Sequence, residues 1–279
     1  MALEPRMNGV FTSLNRLWRI AMTGFCFALF GLGGLLLSVV WFNVLLVFVW
    51  DNSRRRRIAR RSISASFRLF LTVTRVLGVL DYRMEGVDIL RQERGCLVVA
   101  NHPTLIDYVL LASVMPETDC LVKSALLTNP FLSGVVRAAD YLVNSQADAL
   151  LPASQQRLAQ GDTILIFPEG TRTKPGETMT LQRGAANIAV RCHSDLRVVT
   201  IHCSERMLDK ESKWYQVPPC KPLFTIEVRE RVKINQFYDA DSQEPALAAR
   251  QLNRHLLLKL QPGTLPLSGI NDASALSGN

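Results

Sequence analysis

His102 and Asp107 stand five residues apart in the segment Ala100-Asn101-His102-Pro103-Thr104-Leu105-Ile106-Asp107, and a histidine beside a carboxylate is the makings of a general base. With one ring nitrogen bonded to the carboxylate, the tautomer is fixed and the other nitrogen is free to take a proton, while the carboxylate steadies the imidazolium that forms. The apolar run Cys96-Leu97-Val98-Val99-Ala100 suits a buried parallel strand, and Leu105 to Met115 has helical character. Thr104, three residues before Asp107, matches a capping box with Thr104 as N-cap, so the spacing predicts His102 just outside the helix and folded back toward Asp107. The plainer alternative is a helix-capping aspartate beside a loop histidine.

A second group of residues follows the run Thr163-Ile164-Leu165-Ile166-Phe167: Pro168, Glu169, Gly170, Thr171 and Arg172. Proline ends a strand, glycine permits close backbone approach, and arginine offers a planar fork to a phosphate or carboxylate. Alone, this is equally a turn with a surface ion pair. In an open α/β sheet, however, parallel neighbours deliver their C-terminal ends to one edge, which is where ligands bind.

The elements that must carry these residues are legible as alternating strands and helices. Beyond the two strands above, strands are expected at Cys120 to Lys123, Tyr141 to Val143, Arg197 to His202 and Leu223 to Val228. Helices are expected around Phe131 to Ala138, Ala147 to Ala159 and Arg183 to Val190, with a closing amphipathic helix from Glu244 to Leu260. The pattern predicts an α/β fold, a largely parallel central sheet flanked by helices, over residues 81–261. Residues 262–279, rich in Gly, Ser, Asn and Pro, are expected to be a disordered tail.

Residues 1–80 read as a membrane-embedded helical segment. Ile20 to Trp50 is a run of 31 residues without a charge. As one straight helix it would be roughly 46 Å long, against a hydrocarbon core of about 30 Å. Gly31, Gly33 and Gly34 fall near its middle, where a bend would need them. Arg16 and Arg19 precede it and six arginines lie within Arg54 to Arg61, so positive charge flanks both ends. By the positive-inside rule both flanks favour the cytoplasm, which fits a re-entrant hairpin or two short helices better than a single tilted span. The arginines suit anionic head groups, or are a plain stop-transfer flank. The net charge of +8 belongs to this segment: residues 1–83 hold twelve basic residues against three acidic, the remainder twenty against twenty-one. A nucleic-acid partner is not expected, since the basicity is not spread over a folded face. The six cysteines show no close pairing, and neither a metal site nor a disulfide framework is expected.

Together, Asn101 to Asp107 and Phe167 to Arg172 resemble the signature pair of the glycerolipid acyltransferase family typified by bacterial 1-acylglycerol-3-phosphate acyltransferase, over about Tyr82 to Val232. The resemblance implies an N-terminal membrane-embedding helical pair, a catalytic domain at the cytoplasmic face of the inner membrane, and an acyl-carrier-protein or coenzyme A thioester as co-substrate, with no resident cofactor. It implies His102 as base, Asp107 supporting it, and Glu169, Gly170, Thr171 and Arg172 at the acceptor phosphate. Two segments depart from the family pattern. Where members often carry an arginine after a glycine-started stretch, Ala139 to Ser145 ends in serine, and a strand that usually contains proline is Val198-Val199-Thr200-Ile201. Lys123 and Arg137 are candidates to replace the missing charge. The expected reaction is direct acyl transfer to a lysolipid, or to a lipid acceptor with another head group, since no serine or cysteine lies in a nucleophile elbow. A thioesterase or lipid hydrolase, and a non-catalytic membrane scaffold, are the alternatives.

Overall fold

The computed structural model describes residues 5–129, 131–144, 147–239 and 244–261; the expected tail and Ser145 lie outside them. Helix α1 (Pro5–Leu36) passes without a break through a π-helical turn (Leu37–Trp41) into α2 (Phe42–Phe48). The bend expected at Gly31, Gly33 and Gly34 is therefore not there. Gly costs only about 1 kcal/mol in a helix interior and does not by itself break one. One of these glycines instead permits close packing: a Cβ on Gly34 would stand 3.0 Å from the Phe131 carbonyl, whereas one on Gly31 would make only an ordinary contact with its ring. The chain reverses later, over Val49 to Asp51, where the Asp51 carboxylate accepts from Arg54 N–H (2.8 Å) and starts α3 (Asn52–Val76). α3 runs back along α1: Trp18 Nε1 donates to the Leu77 carbonyl (3.0 Å), Trp41 Nε1 donates to Ser62 Oγ (2.9 Å), and Phe30 stacks on Phe67 at 6.0 Å.

The arginine cluster divides. Arg60 is 3% exposed and reaches Asp119 at 2.7 Å, while its Nε donates to the Ala139 carbonyl (2.9 Å). Arg56 bridges to Asp162 (3.3 Å). Both fasten α3 to the α/β domain, whereas Arg54, Arg57 and Arg61 are exposed.

After α3 come β1 (Asp81–Glu85), α4 (Val87–Gln92), β2 (Leu97–Ala100), α5 (Asp107–Val114), β3 (Asp119–Lys123), a 3-10 turn (Ser124–Leu127), α6 (Ser133–Ala139), β4 (Leu142–Asn144) and α7 (Ala147–Ala159). The chain then forms β5 (Ile164–Ile166), α8 (Gly184–Arg191), β6 (Leu196–Cys203), β7 (Leu223–Val232) and α9 (Pro245–Leu260). The seven strands lie in the order β1-β7-β6-β2-β5-β3-β4; β6, β2, β5, β3 and β4 run parallel, and β7 is antiparallel to β6 with β1 alongside it. β2 is fully buried, as a strand covered on both faces requires. One face packs α5 and the hairpin, through Leu110, Leu111, Leu71 and Cys26; the other packs α8 and α9, through Ala186, Val190, Leu252 and Leu256. β1 was not expected from the sequence, because Asp-Tyr-Arg-Met-Glu on an edge strand lacks an apolar run.

Candidate active site

β2 delivers Asn101 and His102 to the C-terminal edge of the sheet. The Asn101 amide ties this turn to β6: Nδ2 donates to the Ile201 carbonyl (2.8 Å) and Oδ1 accepts from Ile201 N–H (2.6 Å). The chain then loops back so that Asp107, with a wholly buried side chain, opens α5. Thr104 is not the N-cap; the helix starts three residues later, and Thr104 N–H (2.7 Å) and Oγ1 both donate to the Asp107 carboxylate. That carboxylate also lies 2.8 Å from His102 Nδ1. Burial pushes the Asp107 carboxyl upward, against the pull of its bonds from His102 and Thr104. Since an ionised carboxylate only accepts, Nδ1 carries the proton and Nε2 is left as the acceptor. The ring keeps 22% of its surface exposed and stacks on Phe167 at 4.4 Å between centroids.

Phe167 belongs to the second segment, so the two segments meet as the sheet topology requires. Glu169 joins them more firmly. Its buried carboxylate accepts from His102 N–H (2.6 Å) through Oε1, and from Thr173 N–H (3.1 Å) and Oγ1 through Oε2. Glu169, expected at the acceptor phosphate, is turned inward here, where its carboxylate satisfies donors of both segments. Gly170 is exposed with φ +70, a left-handed conformation strained for any side chain, and Thr171 is exposed beside it. Arg172 is half-buried, with Nη1 donating to the carbonyls of Leu208 (2.9 Å) and Asp209 (2.8 Å). The Leu208 carbonyl also accepts from Leu105 N–H (2.9 Å), so the β6–β7 connection holds both segments. That connection is fixed by Asp209: burial would raise its carboxyl, but bonds from Arg206 and from the N–H groups of Glu211 and Ser212 hold it at about 2. No pattern in the sequence marked it.

Glu169→Gln should lower stability by roughly 1.5–3 kcal/mol, because an amide offers one acceptor where the carboxylate serves both ends of the junction. Urea unfolding measures this, and an unchanged midpoint would remove Glu169 as the link.

Lys123 is exposed at the C-terminal end of β3, on the same edge as His102 and separated from β2 by β5. Arg137 is not on that edge. It lies in α6, which leads into the N-terminal end of β4. Cys203, at the end of β6, has its thiol pushed up to about 11 by burial and is a poor nucleophile at neutral pH.

Residues 81–204 match the protein-family model described as Acyltransferase. The match covers most of the α/β domain and less than half of the chain. Among curated relatives, the chain is 25% identical over 219 residues to the 1-acyl-sn-glycerol-3-phosphate acyltransferase of Helicobacter pylori, covering 75% of this chain and 84% of the relative. It is 24% identical over 157 residues to the enzyme of that name from Pseudomonas aeruginosa, covering 54% of this chain and 60% of the relative. Among solved structures, the 1-acyl-sn-glycerophosphate (LPA) acyltransferase PlsC from Thermotoga maritima superposes with a TM-score of 0.61 at 19% identity, covering 91% of this chain and 98% of that one, and shares its fold.

Proposed function

We propose that this acyltransferase moves a fatty acyl group from an acyl-carrier-protein or coenzyme A thioester to the free hydroxyl of 1-acylglycerol-3-phosphate or a related lysolipid, in phospholipid synthesis at the inner face of the cytoplasmic membrane. The observation that carries the reading is the His102 imidazole, held at Nδ1 by a wholly buried Asp107, 2.8 Å away, on the edge that also bears the Pro168 to Arg172 loop. His102 Nε2 takes the proton as the acceptor oxygen attacks the thioester carbonyl; the tetrahedral intermediate collapses, the C–S bond breaks, and the imidazolium returns the proton to the departing thiolate. Backbone N–H groups of the two loops are the candidates to stabilise the oxyanion. Gly170, Thr171 and Arg172, the outward part of the second segment, are assigned to the acceptor phosphate, with Lys123 as a further cation on the same edge.

Membrane attachment is assigned to residues 1–80, which contain the helical hairpin, with residues 81–261 as the catalytic domain. The stretch Ser13–Phe48 is long and apolar enough to cross a bilayer, and only 11% of its most apolar window is buried in the protein. Its reversal at Val49 to Asp51 returns the chain toward its starting side, which fits entry and exit through one leaflet, with both charged flanks in the cytoplasm. The test is incubation of the purified protein with acyl-carrier-protein or coenzyme A thioester and a panel of lysolipids and other hydroxylated lipids, with products identified by mass. Acylation of 1-acylglycerol-3-phosphate is the expected result; exclusive acylation of an acceptor without a phosphate monoester would overturn the acceptor assignment.

A further inference from the structure

Arg137 lines a cavity of about 510 Å³ at the far end of the hairpin, between α2, α3 and α6. One wall is apolar, formed by Phe42, Leu45 and Leu46 of α2. The opposite wall is cationic, formed by Arg55 and Arg56 of α3 and by Arg137. One carboxylate, Asp140, shares the lining, and it is already bridged by Arg157 and by Arg56 at 3.6 Å. Arg55 is engaged by the Val49 carbonyl and Asn52 Oδ1, and Arg56 also bridges to Asp162 (3.3 Å), which leaves Arg137 as the lining cation without a protein partner among the described residues.

The state of Arg137 and of two buried polar atoms points to a missing anion. Arg137 is exposed and makes no side-chain hydrogen bond or ion pair among the described residues. Arg56 Nε is buried without an acceptor, and so is the Oγ of Ser38, another lining residue. Leaving such donors unpaired away from water costs about 1–3 kcal/mol each, which a bound oxyanion would recover. The closed end of the cavity is a built feature: α6 approaches the π-helical turn so closely that a Cβ on Gly134 would stand 2.5 Å from that of Ser38. Leu46, which lines the cavity beside Phe42 and Leu45, is 57% exposed, so an anion bound here has apolar surface beside it.

We propose that this cavity binds one molecule of an anionic phospholipid, with its phosphate against Arg56 and Arg137 and an acyl chain against the apolar wall at Leu46. The site is separate from the catalytic edge, because α6 leads to the opposite, N-terminal end of the parallel strands. The proposal rests on the membrane-association reading given above. A free phosphate would satisfy the guanidinium groups but would leave the apolar wall unused, which favours the lipid.

The experiment uses the full chain in neutral detergent and follows its thermal midpoint against dihexanoyl-phosphatidylglycerol, dihexanoyl-phosphatidylcholine and inorganic phosphate, for the wild type, Arg137→Gln and Arg57→Gln. Arg57 is exposed and outside the cavity, so it controls for charge alone. A ligand that binds only the native state raises the midpoint in a saturable way. Phosphatidylglycerol should do so for the wild type and Arg57→Gln, with an apparent Kd at least about tenfold weaker for Arg137→Gln, consistent with loss of a charge-assisted contact. Equal weakening by both substitutions would mean a diffuse basic surface, and an equal response to inorganic phosphate would mean an anion site without lipid; either overturns the proposal, as does no response to phosphatidylglycerol. Flotation of the wild type with phosphatidylcholine vesicles reports membrane association separately. Protein that floats without the Arg137-dependent shift rejects this site alone, while protein that does not float rejects the reading beneath it.

Discussion

Replacing His102 with alanine is expected to lower kcat by about 10²–10⁴, equivalent to about 3–5 kcal/mol of barrier, while leaving the protein folded. The size follows from what is lost, a positioned base whose second nitrogen has no substitute among its neighbours. Folding should survive, because the ring lies at the edge and the Asp107 carboxylate keeps its two bonds from Thr104. A turnover measurement beside a thermal melt separates the two effects. Loss of less than about tenfold in kcat, with the midpoint unchanged, would mean that another group takes the proton.

The second large effect concerns stability and lies at the other edge of the sheet. Arg60→Ala should destabilise the protein by about 3–5 kcal/mol, since removing one member of a buried ion pair leaves the other charge uncompensated. Asp119, whose side chain is wholly buried, loses its contact at 2.7 Å, and Arg157 at 3.5 Å is a weaker partner. In the wild type, burial pushes the Asp119 carboxyl up to about 6 against the pull of Arg60. A carboxyl raised above its unfolded value makes the folded state hold a proton that the unfolded state has released, so its contribution to stability falls as pH rises from about 4 to about 6. Without Arg60 the carboxyl rises further and the fall extends to higher pH. The variant should therefore be more damaged at pH 8 than at pH 5 when both are compared with wild type by urea unfolding. Equal damage at the two pH values would assign the loss to packing rather than to the stranded charge.

Much of this architecture is written locally. The buried runs Leu97 to Ala100 and Ile164 to Ile166 are strands because each is apolar throughout, and parallel pairing then brings His102 beside Phe167. Local sequence fails where tertiary contact decides. Gly31 and Gly34 look like a bend, yet the helix runs through both, and Phe131, roughly a hundred residues away in sequence, gives Gly34 a packing role. Arg60 looks like its exposed neighbours until Asp119 and the Ala139 carbonyl close around it. The directions of Glu169 and Arg137 are likewise set by tertiary contact. A motif indicates that a carboxylate or a cation is present, but its direction depends on donors such as His102 N–H and on which end of a strand the preceding helix reaches. The Leu208 and Asp209 carbonyls that hold Arg172 carry no side-chain signal at all.

The central claim is that His102 activates an acceptor hydroxyl for direct attack on a thioester. The most direct measurement is release of carrier thiol from acyl-carrier-protein thioester, with and without 1-acylglycerol-3-phosphate, while the protein and lipid products are followed by mass. Thiol release that requires the acceptor, matches acylated lipid one for one and leaves the protein mass unchanged is the expected result. Release of thiol and free fatty acid at the same rate without acceptor, or a protein heavier by one acyl group, would contradict it.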